Sequence, residues 1–318
     1  MIKFHYSSVV CPETVRFITD SLHGSPMRFV RYDDGQLGLL TDDGNGIISL
    51  SDRLGLEGRD PLIEYMEGDH NASQYSNADP DHDIADIQLE SPVNRPEKVI
   101  AAPLNYETHI EEAISDRDIT TDEWFSIKDK GYFLKASSSV VGPDHGIELP
   151  FSDRRTDHEI ELAFVMGSDV KNISAKEAWD NVFGYTILLD ISLRGDQDRS
   201  NRKSYDTFTV IGPCVRTADE IADPQNLQME LTLNGRRRQY ENTSDMVYTC
   251  ADIVQYASLG TTLETGDIVT TGTPEGVSEL SDGDTIEAEI EGIGSMTVDV
   301  TERELSYVDA DVEKGGTE

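Results

Sequence analysis

Basic residues are scarce: 26 lysines and arginines stand against 62 aspartates and glutamates in 318 residues, a formal charge of −36. Only nine of those cations are lysines. This sign excludes a general affinity for nucleic acid or anionic membranes, which carry like charge. Cysteine is scarcer still. Cys11, Cys214 and Cys250 form no CxxC pair and are odd in number, which fits reduced thiols and excludes a disulfide framework. No run of about 18 apolar residues occurs and no basic-then-apolar leader opens the chain, so neither a transmembrane nor a secretory reading has support. The expectation is a cytoplasmic protein. What is present argues for folding: the chain is 37% hydrophobic, and its acids are spread through segments with apolar periodicity instead of being collected in one disordered tail. Aspartate and glutamate crowd nearly every loop. Such a surface suits a halophilic cytosol, where screening over about 3 Å at 1 M salt removes the self-repulsion of the fold.

Along the chain, residues 1–26 hold Glu13 and Asp20 against Lys3 and Arg16, so the remaining residues carry the whole negative charge. Met27 opens a strand-turn-strand pattern, and 1–26 reads as a weakly ordered extension, with helical packing of Val15, Ile18 and Leu22 as the competing view. Residues 27–93 read as a small β-rich N-terminal domain and linker, with a helix around Pro61 to Met66 and an exposed polar loop over 69–83. Asp79, Asp81 and Asp83 imitate calcium-ligand spacing, but the glycine and terminal glutamate of such a loop are missing. From 94 to 308 the pattern strengthens, and 309–318 is an acidic tail. Asn105 can cap a helix through His109 to Ala113; Ser174 and Glu177 form a capping box before AWDNVF, with Gly184 as a stop; Thr249 and Asp252 open a helix closed by Gly260. Between these lie EIELAFVMG, GYTILLDIS, MELTLNG with its Asn234-Gly235 turn, GDIVTTG and TIEAEIEGIGSMTVDV, all strand-like. With many strands, few helices and no regular βαβ alternation, the fold class is α+β, sheet-dominated.

Glu159 and Glu161 flank Ile160, and residues two apart on a strand share a face. Two acids running directly into LAFVM enter a buried sheet, a costly placement without a compensating cation. With acids at about one residue in five, Glu-x-Glu also arises by chance, as at Glu287, Glu289 and Glu291 on what reads as a solvated hairpin face. Asp190 strengthens the case, because it interrupts the apolar run YTILLDIS and a lone buried acid needs a partner. Three carboxylates without a neighbouring Cys or His pair would select a hard divalent ion, Mg2+ or Mn2+, over zinc. His109 and Glu112 stand at i and i+3 on one helical face, where the acid can orient the imidazole or simply make a surface contact. Lys203 and Arg194 supply positive charge to an anionic ligand or pair with the surrounding acids. None of the cysteines has a nucleophile signature.

In order along the chain, NYETHIEE, FLKASSSVVGPD, DHEIELAFVMG, VFGYTILLDISLRGDQ, KSYDTFTVIGP, LNGRRRQYENTSDMVY and LETGDIVTTGTPEGV resemble the fumarylacetoacetate hydrolase family over roughly residues 96–300. The resemblance implies a catalytic domain built as a mixed β-sheet roll, a homodimer, and a divalent cation held by Glu159, Glu161 and Asp190. It also implies that Arg194, Gln197 and Lys203 handle substrate oxygen atoms, that Thr273 contacts the substrate's carboxylate end, and that His109 and Glu112 are a dyad on a mobile lid, with His109, Glu112 and Lys203 as the catalytic groups. Family substrates are mostly 2-oxo acids or their enols, whose adjacent carboxylate and keto oxygens chelate one ion and so stabilise an enolate. Departures fall near the pocket. Leu189 and Gly195 stand where the family usually has asparagine and aspartate, Ala136 where proline is typical, and the loop from Gln197 to Lys203 is short and lacks a tryptophan.

The resemblance implies first a metal-dependent hydrolase of acylpyruvates, cleaving a C–C bond between carbonyls in aromatic or related catabolism. An isomerase or decarboxylase of unsaturated 2-oxo diacids, of the 2-hydroxyhepta-2,4-diene-1,7-dioate type, uses the same enolate. A 2-oxo-3-deoxy sugar-acid dehydratase is a third reading, disfavoured by TSDM at 243–246. A non-catalytic dimeric binding protein with a vestigial site is disfavoured by retention of the ligands and the His–Glu pair. The charge itself makes a prediction: the melting temperature should rise steadily from about 0.1 M to several molar KCl. Equal melting temperatures at the two ends would refute salt adaptation.

Overall fold

The computed structural model describes residues 27–116 and 126–303. The expected extension 1–26, with Cys11 and its candidate helix, the tail 309–318 and the last residues of the 94–308 unit lie outside the described residues.

The core of the molecule is a mixed, mostly antiparallel sheet of twelve strands. At its centre the Ile160–Met166 strand pairs antiparallel with Val182–Asp190, which pairs in turn with Thr209–Thr217. Every residue of the first two is buried, as their near-continuous apolar sequences require. Alternation then divides the two faces. Ile160, Leu162, Phe164 and Met166 pack into one cluster with the Cys250–Ser258 helix and a second, five-stranded sheet, while Ala163 and Val165 pack into another with Phe29, Leu37 and Leu62.

That second cluster packs residues from both sides of the expected boundary at residue 93. The Arg28–Tyr32 strand adds to Thr209–Thr217 through Phe29 and Val215, so the N-terminal strands extend the catalytic sheet and share its core. The physical reason is the unpaired outer edge of Thr209–Thr217 and the apolar face behind it, both of which the N-terminal strands cover. The Pro61–Glu67 helix matches expectation, with Asp60 capping it through Ile63 N–H. Glu287, Glu289 and Glu291 are exposed on the Thr285–Ile290 strand and its turn, as expected of a solvated hairpin. The Asn234-Gly235 turn carries positive φ at both residues, the signature of a two-residue hairpin.

Three local expectations fail. The Ser174–Glu177 capping box is present, yet it opens only two short 3-10 turns, Ala175–Glu177 and Trp179–Asn181. Gly184 does not stop a helix. It lies inside Val182–Asp190, where a Cβ would come within 2.3 Å of the Arg216 carbonyl oxygen, so the glycine serves close strand approach. Asn105 does not cap the Glu107–Ser115 helix, whose N-cap is Tyr106. Its amide instead donates to the Tyr248 and Thr271 carbonyls and accepts from Tyr248 N–H, tying the segment after the Val99–Ala101 strand to two loops. Because Val99–Ala101 runs parallel to Ile268–Thr270, the chain leaves both strands at the same end, bringing the His109 helix and the Thr271–Thr273 loop together.

Candidate metal centre

Register gathers the three acids. Ile160 pairs with Leu189 and Glu161 with Leu188, which sets Asp190 opposite Glu159, while Asp190 N–H donates to the Glu159 carbonyl at 2.8 Å. Opposed and diagonal side chains on one face lie close enough to converge. Glu159, Glu161 and Asp190 each place a carboxylate oxygen within 4.8 Å of the others, and all three are buried. They floor a cleft whose walls include His109, Phe133, Arg194, Arg199, Arg202, Lys203, Gly272 and Thr273.

Cations partly compensate this floor. Lys203 Nζ donates to Glu159 Oε2 at 2.8 Å, to Asp190 Oδ2 at 2.6 Å and to Ser192 Oγ. Arg194 donates through Nη2 to Glu159 and through Nε to Asp157, both at 2.8 Å. Lys135, fully buried, donates to Asp190 and to the Lys203 carbonyl. With Lys203 and Arg194 against it, Glu159 is held well below the usual carboxylate range despite burial. Glu161 behaves in the opposite way. It accepts Gly272 N–H at 2.9 Å, but burial and the charges of Asp190 and Glu159 push its pKa well above the ordinary value. A buried oxygen-donor triad that remains short of positive charge at one member fits a hard divalent ion. Bound there, the ion would be held by Glu159, Glu161 and Asp190.

The dyad forms as the spacing suggested. His109 is 3% exposed, and its Nδ1–H donates to Glu112 Oε2 at 2.7 Å. An ionised carboxylate only accepts, so this bond leaves Nε2 as the nitrogen free to take a proton. Glu112 Oε1 accepts Gly276 N–H at 3.0 Å, and Ala113 packs on Val277, which docks the helix over the cleft. Thr273 lines the cleft, but its hydroxyl already donates to the Ile160 carbonyl and accepts from Gln239. That hydroxyl has no proton left for a substrate carboxylate. Gln197 is exposed and is not among the cleft-lining residues; Arg199 and Arg202 on the next turn are.

Several contributors escaped the sequence reading. Asp157 is buried between Arg155 and Arg194 and aims the latter. Gln239 accepts from His158 Nδ1–H and Ile160 N–H while donating to Thr273 and the Pro274 carbonyl, clamping the hairpin to the site. Burial lowers the pKa of His158 to about 4, so it serves as a neutral strut. Nothing in the sequence marks Gln239, a polar residue in the polar Arg236–Asn242 strand, although it is the one residue of that strand that is buried. Lys135 carries a weak signal, a cation ending the short Phe133–Lys135 strand after two apolar residues.

Together these features define an enzyme centre of the metal-carboxylate kind, set in a sheet-dominated α+β fold. The family description "Fumarylacetoacetate (FAA) hydrolase C-terminal" matches residues 98–301, and the chain belongs to the fumarylacetoacetate hydrolase family. It is 40% identical over 284 residues to a maleylpyruvate hydrolase of Aquipseudomonas alcaligenes, covering 86% of this chain and 98% of that one. A mitochondrial oxaloacetate tautomerase of Xenopus laevis is 33% identical over 299 residues, covering 85% and 89%. Among solved structures, the maleylpyruvate hydrolase from Sphingobium sp. SYK-6 in complex with manganese(II) ion and pyruvate superposes with a TM-score of 0.76 at 35% identity, covering 87% and 99%.

Glu161 yields a prediction. Glutamine mimics its neutral form, so Glu161→Gln should change metal-free stability by no more than about 1 kcal/mol. The melting-temperature rise that excess Mg2+ or Mn2+ gives the parent protein should vanish. An equal rise in the variant would remove Glu161 from the ligand set.

Proposed function

We propose that this protein is a divalent-metal-dependent hydrolase of acylpyruvates that cleaves the C–C bond between two carbonyls, with the dyad-bearing helix docked over a buried carboxylate triad as the observation that carries the reading. The likeness to two maleylpyruvate hydrolases supports this reaction class. We assign the metal to Glu159, Glu161 and Asp190, with Mg2+ as the resident ion because all three donors are carboxylate oxygens, and Mn2+ able to replace it. The reading also includes a cytoplasmic homodimer, supported by the family resemblance and by a surface charge adverse to membranes and nucleic acid. Among the described residues no helix is long and apolar enough to cross a membrane.

When bound, the divalent ion supplies Lewis-acid stabilisation to the oxygen atoms of the pyruvyl end, where charge develops as the bond breaks. The chain's own residues do the rest. His109 Nε2 takes a proton from water, and Glu112 both fixes the ring through Nδ1–H and stabilises the imidazolium that forms. Water's oxygen adds to the acyl carbonyl carbon. The C–C bond then breaks, its electron pair moves to the pyruvyl fragment, and that fragment takes a proton to give pyruvate beside a carboxylic acid. Lys203 and Arg194, held by Glu159, Asp190 and Asp157, keep positive charge beside the developing oxyanions. The docked Glu107–Ser115 helix keeps bulk water from competing for the base. Isomerase and tautomerase relatives share the 2-oxo-acid chemistry of the second reading, in which proton transfer occurs without attack by water.

His109→Asn should lower kcat for acylpyruvate hydrolysis by roughly a hundredfold or more while substrate still binds in a titration with the metal-loaded protein. Asp190→Ala should abolish turnover. Hydrolysis at the parental rate in His109→Asn, with binding intact, would show that another group is the base.

A further inference from the structure

Arg202 is a buried cation to which no acid is hydrogen-bonded among the described residues. Its Nη1 is buried and has no hydrogen-bond partner there, although the chain carries more than two acids for every base. The acids nearest the site are committed elsewhere. Asp157 takes Arg155 and Arg194, Glu159 takes Arg194 and Lys203, and Asp190 takes Lys135 and Lys203. Glu159 and Asp190 attract Arg202 from a distance without bonding it, while Arg194 and Arg199 repel it. Burying a guanidinium without a partner is costly, so its retention argues for an anion that arrives with the substrate. Position supports this. Arg199 and Arg202 are three residues apart on the single turn Arg199–Arg202, and both line the cleft that the carboxylate triad floors. Lys203 and Arg194 serve the triad end of that cleft, which leaves Arg202 for a different group of the ligand.

We propose that Arg202, assisted by Arg199, is the specificity-determining residue that binds a second carboxylate, at the acyl end of a dicarboxylic acylpyruvate. This rests on the acylpyruvate reading and narrows it from any acylpyruvate to those with an acid at both ends. A planar guanidinium pairs with a carboxylate through two parallel N–H bonds, and a charge-assisted pair of this kind changes affinity by about 10- to 100-fold.

The test compares maleylpyruvate and fumarylpyruvate, which carry the second carboxylate, with acetylpyruvate, which lacks it. For Arg202→Leu, the ratio of kcat/KM for the dicarboxylic over the monocarboxylic substrates should fall by about 10- to 100-fold, and Arg202→Lys should recover part of it. Binding gives an independent readout. Titrating His109→Asn and His109→Asn/Arg202→Leu, both loaded with Mg2+, should show the same loss of discrimination in Kd. If the wild type cleaves neither class but the Kd ratio still shifts, the hydrolase reading fails and the Arg202 assignment stands. A ratio unchanged within twofold, or a wild type that binds acetylpyruvate as tightly as the diacids, overturns the assignment. Should Arg202→Leu not fold, Arg202→Gln carries the same comparison.

Discussion

Like-charge repulsion among three buried carboxylates is the constraint on which this structure depends. Glu159, Glu161 and Asp190 converge because two strands pair in one register, and a slip of one residue would turn the acids of one strand onto the opposite face. Burial makes each charge expensive, and proximity raises that cost. The surroundings answer with Lys135, Lys203 and Arg194, each held by more than one oxygen atom. Glu161 remains the least compensated of the three, and a divalent ion has the charge and the oxygen affinity it lacks.

The same electrostatics organises the walls of the cleft. Asp157 and Gln239 do not line it, yet they aim Arg194 and anchor the Thr273 loop. Glu112 works on two sides, bonding the imidazole and the Gly276 amide, so the position of the helix and the orientation of the His109 ring are joined in one carboxylate. A chain so poor in bases concentrates four cationic side chains, Arg194, Arg199, Arg202 and Lys203, around one cleft. That concentration is the electrostatic signature of an anionic ligand.

Much of this was legible in the sequence, for physical reasons. Strands buried on both faces read as apolar runs, so an acid inside one, such as Asp190, stands out; Glu159 and Glu161 follow from the period of two, while the i, i+3 spacing of His109 and Glu112 fits a plain surface contact equally and only the family resemblance singles the pair out. The family resemblance added Arg194, Lys203 and Thr273, all of which line the cleft, and Gln197, which the structure leaves exposed. What stayed hidden depends on long-range contact. Gln239 sits in a polar strand and becomes a clamp only when the hairpin packs on His158 and Thr273. The merging of the N-terminal strands with the catalytic sheet depends on an edge pairing 186 residues apart in sequence, from Phe29 to Val215, which no local pattern encodes. Gly184 and Asn105 depart from the sequence expectation because the same residue types that end or cap a helix also permit close strand approach or cross-link loops.

The central claim is that the carboxylate triad takes one divalent ion, and Mn2+ titration followed by electron paramagnetic resonance tests it most directly. The free Mn2+ signal should stay suppressed until one equivalent per chain has been added and then grow in proportion, while Asp190→Asn should show free ion from the first addition. Retention of one tight equivalent by the variant, or no binding by the parent protein, would contradict the account.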